Sequence, residues 1–352
     1  MNPLIKNIKK NEVLNSYNFA RSCDIVYSEV ISHENFKNLA IEDYKVIFED
    51  EVKIFYKLNS ISVKENDVVF CNTYMLESLF KLLKKVNLQN IKLVTHQTDL
   101  SITKDIFDSK PDCVSEWYSI NIAYANKDLI SIPIGLSNEY SPKNLFQNNY
   151  KNFDFIGLEE KKIKGYANFR INTNNKVRES VQKKLINFDW VEFDEPNLKM
   201  DEYLNQLIEH KYILAPFGNG IDTHRIWESL YAGSIPVVQE HVNFSSYRDL
   251  PICVVKNFND LNITFLENYT KSIDQNSFNS DKLTISYWIN LINLNSLKDN
   301  EEVFHLHESE KDQSFFVKKH LKREKNNSRL KKVLYNFRRI RNRLNKLFSL
   351  LN

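Results

Sequence analysis

The chain has little glycine, six residues in 352, and half of it lies between Pro216 and Val238. Cysteine is as sparse: Cys23, Cys71, Cys113 and Cys253 lie far apart, with no CxxC pair and no Cys/His cluster at zinc-ligand spacing. That pattern speaks against a structural zinc module and for four mostly buried free thiols in a reducing compartment. No run approaches the roughly 18 uncharged apolar residues of a membrane-spanning helix, and the opening MNPLIKNIKKNEVLNSYNF lacks the apolar core of a signal peptide. A cytoplasmic protein is expected. Strong charge of one sign is missing as well, the net value being only +3, but the distribution is uneven. Val317 to Asn352 holds 13 Lys/Arg and one acid, which leaves 35 Lys/Arg against 44 Asp/Glu elsewhere, so a body of −9 carries a tail of +12.

What is present is core material. Hydrophobic residues make up 42% of the chain and charged residues 26%, a globular balance at a length that suits two domains. In the first half, short apolar runs read as strands: Cys23 to Ile31, Tyr44 to Asp50, Asp67 to Thr73, Ile91 to Gln97 and Leu129 to Leu136. Between the third and fourth, Leu76, Leu79, Phe80, Leu83 and Val86 recur at spacings of three and four, an amphipathic helix with a basic outer face. Strand, helix, strand at that length is the crossover that parallel strands require. The polar stretch from Ser141 to Lys164 reads as a connection, after which the alternation restarts. GYANFRI, FDWVEF, KYILAPF and SIPVVQ read as strands, and NNKVRESVQKKLI, MDEYLNQLIEH and Thr223 to Ala232 as helices. The fold class is α/β: two Rossmann-like domains facing a cleft, over 1–145 and 165–310, joined by a linker at 146–164 and followed by a tail at 311–352.

The glycine cluster sits in PFGNGIDTHRIWESLYAGSIPVV, directly after the buried-strand pattern KYILAPF. GNG lets the backbone turn sharply and approach a ligand without Cβ obstruction. Asp222 or Thr223 is placed to cap the next helix, whose orphan N–H groups and positive dipole end suit an anion above the strand's carboxyl end. Arg225, in the first turn, has a fork that can hold a diphosphate by charge-assisted hydrogen bonds. Glu228, one turn further, suits vicinal ribose hydroxyls. The same residues would also serve as a tight turn and an exposed i,i+3 ion pair. Gly233 is expected to end the helix.

GNGIDTHRIWESLYAGSIPVV resembles the donor-binding segment of exostosin-like glycosyltransferases, in which an Arg and a Glu on one helix precede a Gly and a strand beginning Ile-Pro-Val. WYSINIAYANKDLISIPIGLSN (Trp117 to Asn138) and GYANFRINTNNKVRESV (Gly165 to Val177) are similar to stretches of bacterial exostosin-like proteins. The resemblance covers about Asp67 to Leu250. It implies a GT-B fold and an inverting, metal-independent glycosyltransferase that moves a sugar from a nucleoside-diphosphate sugar to a cell-surface glycan such as lipopolysaccharide, O-antigen or capsule. It implies no cofactor and no metal, and the Asp-x-Asp signature of the other large glycosyltransferase fold does not occur in the sequence. Donor-binding positions on this reading are Gly218, Asn219, Gly220, Asp222, His224, Arg225 and Glu228, joined by Asn168 and Arg170.

Inversion by direct displacement needs a general base on the acceptor side. His96 and Asp99, in THQTD after the strand IKLV, are the catalytic candidates, although such a segment is also an ordinary loop. Glu116 with Trp117 is an alternative lining of the acceptor side. Arg170 or Arg178 could supply a second phosphate contact and Asn174 could reach the cleft, but these read also as solvated loop residues, and Tyr247 and Arg248 carry the same ambiguity. His305 and His307 have no third ligand fixed by sequence, so a metal there is not expected.

In the tail, Leu330, Val333, Leu334, Phe337, Ile340, Leu344, Leu347, Phe348 and Leu351 recur at three and four with arginines between. This basic amphipathic helix suits an anionic membrane surface, which would make the enzyme peripheral on the cytoplasmic face. The expected partners are a nucleotide-sugar donor, a glycan or glycolipid acceptor and that surface. A coiled-coil homodimer competes, and nucleic acid is the weaker alternative because the body is acidic. Competing functions are a non-catalytic nucleotide-sugar or glycan binding module and an RNA-binding protein using the tail.

Overall fold

A computed structural model describes residues 5, 7–141, 143–273, 278–294, 302–307 and 322. In the first half, strands β1 (Ile25–Ser32), β2 (Tyr44–Glu49), β3 (Lys53–Leu58), β4 (Ser60–Val63), β5 (Val68–Asn72), β6 (Ile91–His96), β7 (Val114–Ser119) and β8 (Leu129–Ser131) alternate with helices α1 (Ser16–Arg21), α2 (His33–Asn38), α3 (Leu76–Leu83) and α4 (Lys104–Asp108). All but β4 form one seven-stranded sheet in the order β2-β3-β1-β5-β6-β7-β8. From β1 to β8 the neighbours are parallel, and β2 and β3 add an antiparallel edge. Every residue of β5 and β6 is buried, including the polar Asn72, Lys92, Thr95 and His96, as in parallel strands covered on both faces. The crossover between them is α3, which buries Leu76, Leu79, Phe80 and Leu83.

The second half contains β9 (Lys162–Ala167), α5 (Asn175–Leu185), β10 (Val191–Phe193), α6 (Met200–Glu209), β11 (His210–Leu214), α7 (His224–Tyr231), β12 (Ile235–Gln239), β13 (Cys253–Val255) and α8 (Ile263–Ser272). Its five strands are all parallel, in the order β10-β9-β11-β12-β13. The chain moves outward from β9 to β10, then crosses back to β11 on the other side. The order therefore reverses between β9 and β11, and above that point the loops diverge and leave a crevice.

The remaining elements return to the first half. Helix α9 (Ile285–Asn293) packs against α1, and strand β14 (Phe304–His307) pairs antiparallel with β4. The halves also share an interior. One apolar cluster takes Val68, Phe70, Val94 and Tyr118 from the first half and Tyr166, Ile213, Trp227 and Val238 from the second.

Three readings of the sequence change. Leu129 to Leu136 is a strand only to Ser131, because Pro133 has no N–H to donate and Gly135 turns the chain at a φ of +67°. Lys53–Leu58 and Val114–Ser119 are strands the pattern did not reveal, and the first of them, antiparallel to β1 and β2, makes the sheet mixed. Trp117, on β7, is a core residue: its Nε1–H donates to Thr95 Oγ1 at 2.8 Å and its ring meets Phe80 edge-on, while Glu116 pairs with Lys92 at 3.5 Å. Neither lines any of the three cavities described below. Cys71, Cys113 and Cys253 are buried and Cys23 half-buried, all as free thiols. No helix among the described residues is long and apolar enough to cross a membrane. The basic tail, apart from Lys322, lies outside the described residues.

Candidate functional site

Helix α7 is fixed from below. Ile226, Trp227, Leu230 and Tyr231 are buried, and losing a core side chain of the Trp227 class costs about 3–5 kcal/mol. Its end is a Schellman motif, with Gly233 N–H bonded to Leu230 O at 3.0 Å, Ser234 N–H to Ser229 O at 2.9 Å, and Gly233 at a φ of +73°. Lys161, buried at the entrance to β9, donates to Ile208 O and Ala232 O and so places a cation at the carboxyl ends of α6 and α7; burial holds its pKa down at about 8.

The start of α7 differs from expectation. Thr223 occupies the cap position without a side-chain cap bond, and Asp222 does not cap the helix either. The Asp222 carboxylate accepts Trp227 Nε1–H and Ile134 N–H, each at 2.9 Å, and burial pushes its pKa up to about 7. The preceding backbone is gripped from the first half, where Asn121 Oδ1 accepts the N–H groups of Ile221 and Asp222, each at 2.8 Å. Asn121 sits at a φ of +57°, a conformation Asn tolerates better than most residues. Sequence pattern gave no sign of this role.

The GNG glycines also have a different reason from the one expected. Neither has a positive φ, and neither lines the cavity that holds Arg225. A Cβ at Gly220 would meet the Asn121 side chain at 2.9 Å, and one at Gly218 would meet Arg178 Nη2 at 3.0 Å. Asn219 is exposed beside them. The turn is glycine-rich so that two side chains can approach its backbone. Arg178, nearly fully buried, uses that approach, donating to Phe217 O at 2.9 Å, Pro216 O at 3.1 Å, Arg170 O at 3.1 Å and Thr173 Oγ1 at 2.6 Å.

A cavity of about 450 Å³ opens at the carboxyl ends of β9 and β11, where the strand order reverses. Arg178, Arg225, Arg170 and Lys143 line it, with Glu228 as the one carboxylate. Arg225 donates to Asn168 O and lies over the Tyr203 ring at 5.9 Å, while its Nε and the Thr223 Oγ1 are buried without hydrogen-bond partners. Among the described residues no carboxylate is ion-paired with Arg178 or Arg225. The Arg225–Glu228 ion pair, the competing reading of these two positions, is therefore absent. Burial first, then repulsion from Arg225, holds the Arg178 pKa down at about 9. Two guanidinium groups without an ion-paired carboxylate, with Arg170 and Lys143 on the same lining against Glu228 alone, give the cavity a positive balance that favours an anion.

Glu228 faces the same cavity but also anchors its wall. It accepts Tyr203 O–H at 2.9 Å through one oxygen and Leu145 N–H at 3.0 Å through the other, which leaves each oxygen a second lone pair. Asn168 lines the cavity and donates to Glu195 O at 3.2 Å; Arg170 lines it from an exposed position. Asn174 caps α5 and donates to Gly218 O at 3.1 Å, outside the lining.

His96 and Asp99 line a second cavity, of about 320 Å³, which also contains His224. His96 is buried with both nitrogens engaged: Nδ1 accepts Gln97 N–H at 2.8 Å and Nε2 faces Pro133 O at 3.2 Å. Burial drives its pKa down to about 3, so it stays neutral and has no free lone pair to take a proton. This corrects its reading as a candidate base. Asp99 is exposed. A larger cavity, of about 940 Å³, lies between Ile122–Leu129 and the segment after β12; Tyr247 and Arg248 line it, but none of the donor or base candidates does. Volume alone does not select a site, and the unpaired guanidinium groups point to the smaller space.

No family model matches the chain, and no curated protein sequence matches it.

Proposed function

We propose that this chain is a glycosyltransferase of the GT-B type, which binds a nucleoside-diphosphate sugar in the cavity of Arg178 and Arg225 and transfers the sugar with inversion to a glycan acceptor. The observation that carries the reading is a pair of guanidinium groups without an ion-paired carboxylate, Arg178 buried on α5 and Arg225 half-buried in the first turn of α7, at the switch point of a parallel sheet. The cavity volume lies within the roughly 300–1,000 Å³ of small-molecule sites. Arg225, with an unused Nε, binds the diphosphate and stabilises it as it departs. Glu228 accepts from the ribose through its remaining lone pairs. The resemblance of PFGNGIDTHRIWESLYAGSIPVV to exostosin-like donor segments supports the same assignment, and a cell-surface glycan at the cytoplasmic face of the membrane is the acceptor class it suggests.

The experiment is a thermal-stability screen with UDP, GDP and inorganic phosphate, followed by release of diphosphate from UDP- and GDP-hexoses. A nucleoside diphosphate at a hundred times its dissociation constant stabilises by about 2.7 kcal/mol. Stabilisation without any sugar release identifies a binding module instead of an enzyme. No stabilisation by either nucleotide overturns the donor assignment.

A further inference from the structure

We infer that His224 takes the proton from the acceptor hydroxyl, and that the cavity shared by His96 and Asp99 seats this acceptor as a neutral sugar. The inference rests on the donor reading above. The two cavities differ in chemistry. One is rich in guanidinium groups, whereas the other presents Ser16, Gln97, Ser137, Asn138 and Tyr140, with Asp99 as its sole carboxylate. Hydroxyl and amide groups both donate and accept, which is what a polyhydroxy ring without charge requires.

His224 is the one residue that lines both cavities. A direct displacement brings the acceptor oxygen and the anomeric carbon together, so the base must stand where acceptor and donor meet. The tautomer is fixed by the first half of the chain. His224 Nδ1 lies 2.8 Å from Gly135 O, and a carbonyl only accepts, so the proton is on Nδ1 and the lone pair of the neutral ring is on Nε2. No described residue hydrogen-bonds to that Nε2. His96 has no equivalent freedom, and Asp99 does not line the donor cavity.

In the step itself, the acceptor oxygen forms a bond to the anomeric carbon as the bond from that carbon to the diphosphate oxygen breaks. The electron pair of the broken bond stays on the diphosphate, beside Arg225. The acceptor's proton moves to His224 Nε2, giving an imidazolium that later returns the proton to water.

The test measures diphosphate release from UDP- and GDP-hexoses, with water and methyl hexosides as acceptors, in the full chain. His224→Asn keeps a donor for Gly135 O but has no basic nitrogen at Nε2. It is expected to lose at least about 100-fold in kcat while retaining stabilisation by the nucleoside diphosphate, which also reports that it folds. His224→Gly is expected to regain activity when imidazole is added, which a merely structural role would not produce. Near-normal kcat in His224→Asn, with a large loss in Asp99→Asn, overturns the inference in favour of Asp99. If neither nucleotide stabilises the unaltered protein, the donor reading fails and the inference falls with it. Stabilisation with an active His224→Asn variant sinks the inference alone.

Discussion

The carboxylate of Asp222 accepts the backbone N–H of Ile134 at 2.9 Å and so ties the turn before α7 to the loop after β8 in the other half. Because burial raises its pKa from 3.8 to about 7, the folded protein holds a proton there that the unfolded chain has released. The contribution of Asp222 to stability is therefore greatest below about pH 4, falls as pH rises to about 7, and is level above. Asp222→Asn is expected to remove that slope. At neutral pH it also sets an amide N–H against Ile134 N–H or Trp227 Nε1–H, at a cost of about 1–3 kcal/mol. Urea unfolding of both proteins across this range is the measurement, and an unchanged slope in the variant would contradict the assignment.

Arg225→Ala separates binding from folding. The variant loses the bond to Asn168 O and the contact with Tyr203, but it also relieves repulsion on Arg178. The unligated melting temperature is expected to stay close to that of the parent. Affinity for a nucleoside diphosphate is expected to fall roughly 10- to 100-fold, as for loss of a charged hydrogen bond worth about 1.5–3 kcal/mol. Titration calorimetry checks this, and equal affinities would remove Arg225 from the site.

Glu228→Gln tests whether the ribose is recognised. The amide retains an acceptor, and the Tyr203 hydroxyl can rotate to accept from its NH₂, so folding is expected to survive. Affinity for UDP or GDP is expected to fall by several-fold while affinity for inorganic pyrophosphate holds. A parallel loss for both ligands would mean that Glu228 only supports the wall.

Gly135→Ala should be poorly tolerated. Its φ is +67°, and a Cβ there would lie 2.1 Å from Leu14 O. The expected cost exceeds about 2 kcal/mol, and the displaced carbonyl would release His224 Nδ1. A melting temperature equal to the parent's would show that the loop after β8 can relax.

The α/β alternation was legible because its signals are local. Burial along β5, β6 and β11 reads directly from apolar runs, and the i, i+3, i+4 spacing of α3 from Leu76, Leu79, Phe80 and Leu83. The Arg225 and Glu228 positions were visible through the same helical geometry. What stayed hidden depends on pairs distant in sequence: Asn121 holding Asp222, Arg178 filling the space above Gly218, and Gly135 orienting His224. Glycine content marked a turn whose glycines admit Arg178 and Asn121, and scarcity of side-chain atoms is equally useful for admitting a phosphate and for admitting a neighbouring side chain. His96 looked reactive because composition cannot report that Gln97 N–H and Pro133 O occupy its ring.

Strand β4 pairs in the sheets only with β14, which is made about 240 residues later, as the register Ser62↔His305 shows. During synthesis, then, the first half emerges from the ribosome with an open strand edge that nothing yet translated can cover. Translation order and structural completion run in opposite senses here, so truncation before Phe304 would leave the earliest-made part of the protein unfinished, not the latest.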